Sequence, residues 1–161
     1  MAVDMFIKIG KIKGEAQDAS HKGEIDVLAW SWGMSQSGTT HMGSGGGSGK
    51  VNIQDLSFTK YVDASTTALM VACMKGSHID DAHLVVRKAG DSPLEYIKSA
   101  MKEVLVSSIS TGGSGGEDRL TENITLNFRE FKYEYTTQAE KGGKGETSTA
   151  AWDIAANKPA G

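Results

Sequence analysis

The stretch Ile25-Asp26-Val27-Leu28-Ala29-Trp30-Ser31-Trp32-Gly33-Met34-Ser35-Gln36-Ser37 decides the fold class, because its side chains alternate in size with a period of two. Leu28, Trp30, Trp32 and Met34 form one set, and Ala29, Ser31, Gly33 and Ser35 the other. A strand places successive side chains on opposite faces, so this spacing predicts an extended segment with a bulky apolar side and a slim side. The bulky set belongs in a core, and the slim set suits water or a close neighbour.

Outward from this segment the same period returns. Ile124, Leu126 and Phe128 alternate on even numbers, and Phe131, Tyr133 and Tyr135 resume on odd ones, which places a phase change at Arg129-Glu130 and predicts a bulge. Val51 and Ile53 share one parity while Leu56 and Phe58 share the other. Two bent strands of this kind predict a closed barrel, mainly β, with Leu28, Trp30, Trp32, Phe58, Leu126 and Phe128 in its core. One helix is expected from Ser65 to Lys75, capped by Asp63 or Ser65 and ended by Gly76, with Leu69, Ala72 and Cys73 on its buried side. From Leu94 to Ser110 the pattern fits two readings. Leu94, Ile97, Met101, Val104 and Leu105 have helical spacing, whereas Val104 to Ile109 reads as a strand.

Two glycine-rich stretches, Gly38 to Gly49 and Thr111 to Gly116, read as surface loops, and Lys141 to Thr149 as a third, more charged one. Trp152-Asp153-Ile154 reads as a short closing strand. At 161 residues the chain accommodates one domain, 1–161, and no internal repeat divides it.

Composition excludes several classes. The 17 Lys and Arg residues are interspersed among 20 Asp and Glu, which leaves neither a basic stripe for nucleic acid nor a polybasic patch for a membrane. No apolar run approaches the roughly 18 residues of a bilayer span, and Asp4 and Lys8 interrupt what would have to be a signal-peptide core. Cys73 is the only cysteine, so no internal disulfide is possible and a reducing compartment is expected.

No catalytic, metal or cofactor constellation is found. Ser44 stands where a phosphate-binding loop ending Gly49-Lys50 needs its first glycine, and Val51 lacks the hydroxyl such a loop gives to Mg²⁺. His21, His41, His78 and His83 lack zinc-site spacing. Asn123-Ile124-Thr125 matches a glycosylation signal that matters only in a eukaryotic secretory route.

Four blocks in order resemble one family. They are His21-Lys22-Gly23-Glu24-Ile25-Asp26-Val27-Leu28-Ala29-Trp30-Ser31-Trp32-Gly33, Val51-Asn52-Ile53-Gln54-Asp55-Leu56-Ser57-Phe58-Thr59-Lys60-Tyr61-Val62-Asp63, Lys102 to Ser108, and Gly112 to Asn123. Together they are similar to the haemolysin-coregulated protein (Hcp) family of bacterial type VI secretion systems. The resemblance implies a two-sheet β-barrel with one helix, like a phage tail-tube protein, and a strand reading for Leu94 to Ser110. It also implies a non-enzymatic homohexameric ring whose stacked copies form a tube inside a sheath, tipped by a VgrG-type spike and expelled without a signal peptide, with small effectors in the lumen. On that picture Ala29, Ser31 and Gly33 face the lumen, and the loop carrying Gly43, Gly45, Gly46, Gly47 and Gly49 reaches an adjacent ring or subunit. The alternative is a monomeric barrel enclosing a small ligand.

Overall fold

The computed structural model describes residues 3–38, 49–88, 93–139 and 143–161. Its strands are β1 (Val3–Ile9), β2 (Ile25–Asp26), β3 (Ala29–Ser31), β4 (Met34–Ser35), β5 (Asn52–Ile53), β6 (Leu56–Tyr61), β7 (Ile79–Lys88), β8 (Glu95–Thr111), β9 (Thr121–Gln138), β10 (Lys144–Asp153) and β11 (Lys158–Pro159), with the helix α1 (Thr66–Lys75) between β6 and β7. All ladders are antiparallel: one sheet runs β11-β10-β9-β8-β7-β1-β2, with β6 joining β9 to β3, and β4-β5 form a separate ribbon.

The ladders do not close as one continuous barrel. The expected single strand over residues 25–37 is three short ones, and the break falls where the sheet changes partner. Val27 N–H donates to Met5 O on β1, and the next amide, Leu28 N–H, donates to Thr59 O on β6. The chain thus bends between β1 and β6, linking the β2 end of the sheet to the β3–β6 branch through that bend. The bend also corrects one core assignment. Ile25 and Val27 are buried before it and Trp30 packs against the core after it, which turns Leu28 outward at 38% exposure. Met34, beyond the end of β3, is 51% exposed.

A second corner explains the ambiguous segment. On β9 the buried positions run Glu122, Ile124, Leu126, Phe128 and then Phe131, so the phase change falls at Arg129-Glu130 as expected. The β8–β9 register does not shift there; Glu103 on β8 adopts φ 52° instead, and both strands turn together. The same turn moves burial on β8 from Ser99 and Met101 to Val104 and Val106. A kinked strand therefore produces spacings of three and four, and 94–110 imitates a helix while being almost wholly strand. The register shift proper lies between Val106 and Ser108, a bulge that sets Ser107 and Ser108 against Thr125.

The stretch expected as a charged loop, Lys141 to Thr149, is largely strand, since β10 begins at Lys144 and pairs with β9. Its residues Glu146 to Thr149 are exposed on both sides, which erases the alternation by which a strand is recognised. Trp152 and Ile154 do share a face, packed against the core.

Helix α1 ends at Gly76, whose φ of 61° favours glycine, and Ser77 N–H donates to Ala72 O to close the C-terminus. Ser65 holds the N-cap position, but Asp63 supplies the side-chain oxygen, accepting from both the Ser65 amide and its hydroxyl. Leu69 and Ala72 are buried and Cys73 is half-buried. The core they join is filled by Ile7, Ile9, Ile25, Phe58, Leu84, Met101, Ile124, Leu126 and Phe128 among others.

Candidate functional site

Where β3, β6, the first half of β9 and the second half of β8 lie side by side, the two-residue period of each strand becomes a row across the sheet. Trp30 pairs with Phe58, Phe58 with Ile124, and Ile124 with Ile109; this row points into the core. The neighbouring rows point outward. Ser31 pairs with Ser57, Ser57 with Thr125, and Thr125 with Ser108; Ala29 pairs with Thr59, Thr59 with Asn123, and Asn123 with Ser110. The outer side of this sheet is a field of small hydroxyl and amide groups.

These groups hydrogen-bond to one another. The Thr59 hydroxyl donates to Asn123 Oδ1 at 2.7 Å, and the Ser107 and Ser108 hydroxyls each lie 2.7 Å from Thr125 Oγ1. Asp55, in the turn between β5 and β6, accepts from Ser107 Oγ at 2.6 Å and from Asn127 Nδ2 at 2.9 Å. Asp55 brings one carboxylate to these rows; at their far end Arg119 lies 3.7 Å over the Tyr61 ring. Short side chains tied laterally leave a smooth polar wall.

Of the residues expected on a slim face, Ala29 and Ser31 lie in these rows and are exposed. Gly33 does not; it lies past the end of β3, half-buried, with its carbonyl accepting from Gln54 N–H at 2.9 Å. Trp30 and Trp32 are half-buried against the core, and Trp32 Nε1 donates to Gln54 O at 2.8 Å while its ring meets Phe131 edge-on at 4.7 Å. Phe58, Leu126 and Phe128 are buried. Gly43, Gly45, Gly46 and Gly47 lie outside the described residues. Gly49 is described, and a Cβ there would collide with Ser37 Oγ. Sequence reasoning missed Ser57, Thr59, Asn123, Thr125, Ser107 and Ser108. Their signal was present, since each occupies the parity opposite the core residues of its strand or flanks the bulge.

Behind the wall sit two charged side chains whose polarity alone would have placed them outside. Lys60 continues the inward parity of Leu56 and Phe58, and Glu122 that of Ile124, and the two are directly paired in register. Lys60 Nζ lies 2.5 Å from Glu122 Oε2 and 3.0 Å from Asp63 Oδ1, and Thr66 in the first turn of α1 donates its hydroxyl to Glu122 at 2.8 Å. This network ties the helix to the sheet.

Among the described residues no three His, Cys, Asp or Glu side chains converge as a metal site, and no helix is long and apolar enough to cross a membrane. An antiparallel sheet that bends on itself, carries one helix and presents a smooth hydroxyl wall defines a mainly β protein with one broad polar face. The family described as "Type VI secretion system effector, Hcp" matches residues 6–135, and the chain belongs to it. Protein hcp1 of Pseudomonas aeruginosa is 61% identical over 159 residues, covering 98% of each chain. The crystal structure of Hcp1 from Salmonella typhimurium superposes with a TM-score of 0.84 at 42% identity, over 99% of this chain and 100% of that one. A structure of a type six secretion system protein reaches 0.92 at 30% identity with the same coverage. The chain is a structural protein of the type VI secretion tube.

Proposed function

We propose that this tube protein closes into a homohexameric ring whose pore is walled by the outer side of β3, β6, β8 and β9, and that small effectors travel against that wall. The two-sided sheet carries this reading. Its inner rows are committed to the core by Trp30, Phe58 and Ile124, and the outer rows Ser31-Ser57-Thr125 and Ala29-Thr59-Asn123 hold side chains short enough to leave a channel open. A ring also covers unpaired strand edges, which a free protomer leaves open to indiscriminate pairing. The whole chain, 1–161, acts as one domain. It performs no catalysis of its own, stacks ring on ring through the loop containing Gly43 to Gly49, and meets a VgrG-type spike and a sheath as the apparatus expels it from the cytoplasm.

Light scattering on the purified protein is expected to give a mass of six protomers, and negative-stain images to give rings with a central hole; lone protomers at high concentration would overturn the reading. Ser31→Gln places a longer side chain on the outer row without touching the core. It is expected to leave the ring intact and to reduce effector recovery in co-purification several-fold; full recovery would remove Ser31 from the cargo surface. Deleting Gly43 to Gly49 is expected to spare single rings and abolish stacking in sedimentation, and undiminished tubes would release the loop from that role.

A further inference from the structure

The chain between β1 and β2 folds over the sheet as a strap, and Glu15 Oε2 on it accepts from Ala64 N–H at 2.7 Å just before α1. The strap, Lys13 to Glu24, is held together by Gly14 N–H donating to Gly23 O, Gly23 N–H to Ala16 O and Ala16 N–H to Glu24 O. Gly23 turns it at φ 80°, and Ala16 is buried beneath it. It covers Phe6 and Val85, which are paired in register and face away from the main core.

Beside them a row of charges crosses the sheet: Asp4 on β1 pairs with Arg87 on β7, and Arg87 with Glu95 on β8. The strap fastens to this row twice. Asp18 takes the Arg87 guanidinium at 2.6 Å, with Asp4 on the same group at 3.1 Å. His21 reaches Glu95 through Nε2 at 2.6 Å while Nδ1 lies 3.0 Å from Glu24, and its ring stacks on Phe6 at 4.5 Å.

We propose that His21 is a protonation-gated pin, which as an imidazolium fastens the strap to β8 and on giving its proton to solvent lets the strap open locally while the Arg87 pin holds. The geometry requires the charged form. Both ring nitrogens face carboxylate oxygens, and a neutral imidazole has one N–H to donate, so its other nitrogen would set a lone pair against a carboxylate. The surroundings agree. Glu24 of the strap and Glu95 of β8 face the ring directly, and Lys98 approaches Glu95 at 3.7 Å. From the far side of Phe6, Arg87 sits 5.2 Å from the ring centroid, already committed to Asp4 and Asp18. Burial disfavours a charged His21, but the hydrogen bonds it donates to Glu95 and Glu24 outweigh this and raise its pKa above the ordinary 6.5.

The pin therefore strengthens the strap fully below the unfolded-state pKa and is lost as pH rises through the higher folded value. The Arg87 pin has no such window near neutrality, because Arg87 holds the Asp18 carboxyl down to about 2. The test is hydrogen exchange on the assembled protein, read as protection factors at about pH 6 and pH 9, either side of the ordinary histidine range. Strap amides Gly14, Ala16 and Gly23 are expected to lose protection relative to β1–β7 amides, by up to about tenfold for each unit by which His21 is raised. Histidine ring resonances should titrate with a midpoint above 6.5, and Glu95→Gln should lower that midpoint and flatten the exchange response. Equal relative protection at both pH values, a midpoint at or below 6.5, or an unchanged midpoint in Glu95→Gln overturns the proposal.

Discussion

Replacing Lys60 alone with Met is expected to lower the free energy of unfolding by about 3–5 kcal/mol, and the double replacement Lys60→Met, Glu122→Leu to recover most of that loss. Both side chains are 0% exposed. With the ammonium gone, Glu122 keeps only the Thr66 hydroxyl, and its Oε1 already has no hydrogen-bond partner. An ionised carboxylate left that way in a low-dielectric interior has lost the charge that offset its desolvation. Removing both charges leaves two apolar side chains in a space lined by the core, which in comparable sites is near neutral or stabilising. Urea unfolding of the two single variants and the double variant closes the thermodynamic cycle. A double variant as unstable as the singles would mean that the network is needed chiefly to seat α1 through Asp63 and Thr66, with charge compensation secondary.

That pair also marks where reading the sequence stops. Alternation names Leu56, Phe58, Ile124, Leu126 and Phe128 as core because burial of apolar groups drives it, and these positions are buried. It passes over Lys60 and Glu122, which share the same parity, because a charge is inward only when a partner from a distant strand meets it. The corner at Arg129-Glu130 was legible as a phase change on β9, whereas the matching corner on β8 at Glu103 turned a strand into an apparent helix pattern. Leu28 was misplaced because the bend at Val27 is set by which strand each amide reaches, and that is a long-range choice.

The site divides in the same way. Ala29 and Ser31 were visible within one segment, but the wall they belong to needs the pairings Ser31 to Ser57 to Thr125 and Ala29 to Thr59 to Asn123, which join residues far apart in the chain. His21 likewise reads as an isolated histidine until Glu95, 74 residues on, arrives at its Nε2.

Phe58→Ala is expected to cost about 3–5 kcal/mol, while Thr59→Val, one residue along the same strand, stays within about 0.5 kcal/mol of the unaltered protein. Phe58 is 1% exposed and lies in the inward row between Trp30 on β3 and Ile124 on β9. Truncation removes the apolar surface that holds two strands to one core and leaves a cavity that those strands can collapse into only by moving the wall on their other side. Thr59 gives up a hydrogen bond to Asn123, and both groups remain within reach of water. Thermal or urea unfolding reads the two effects, and images test them on the proposed ring: Thr59→Val is expected to form it, whereas Phe58→Ala is expected to lose it as the sheet loosens. A large cost at Thr59 with little at Phe58 would reverse the inside and the outside of this sheet, and with them the face assigned to the pore.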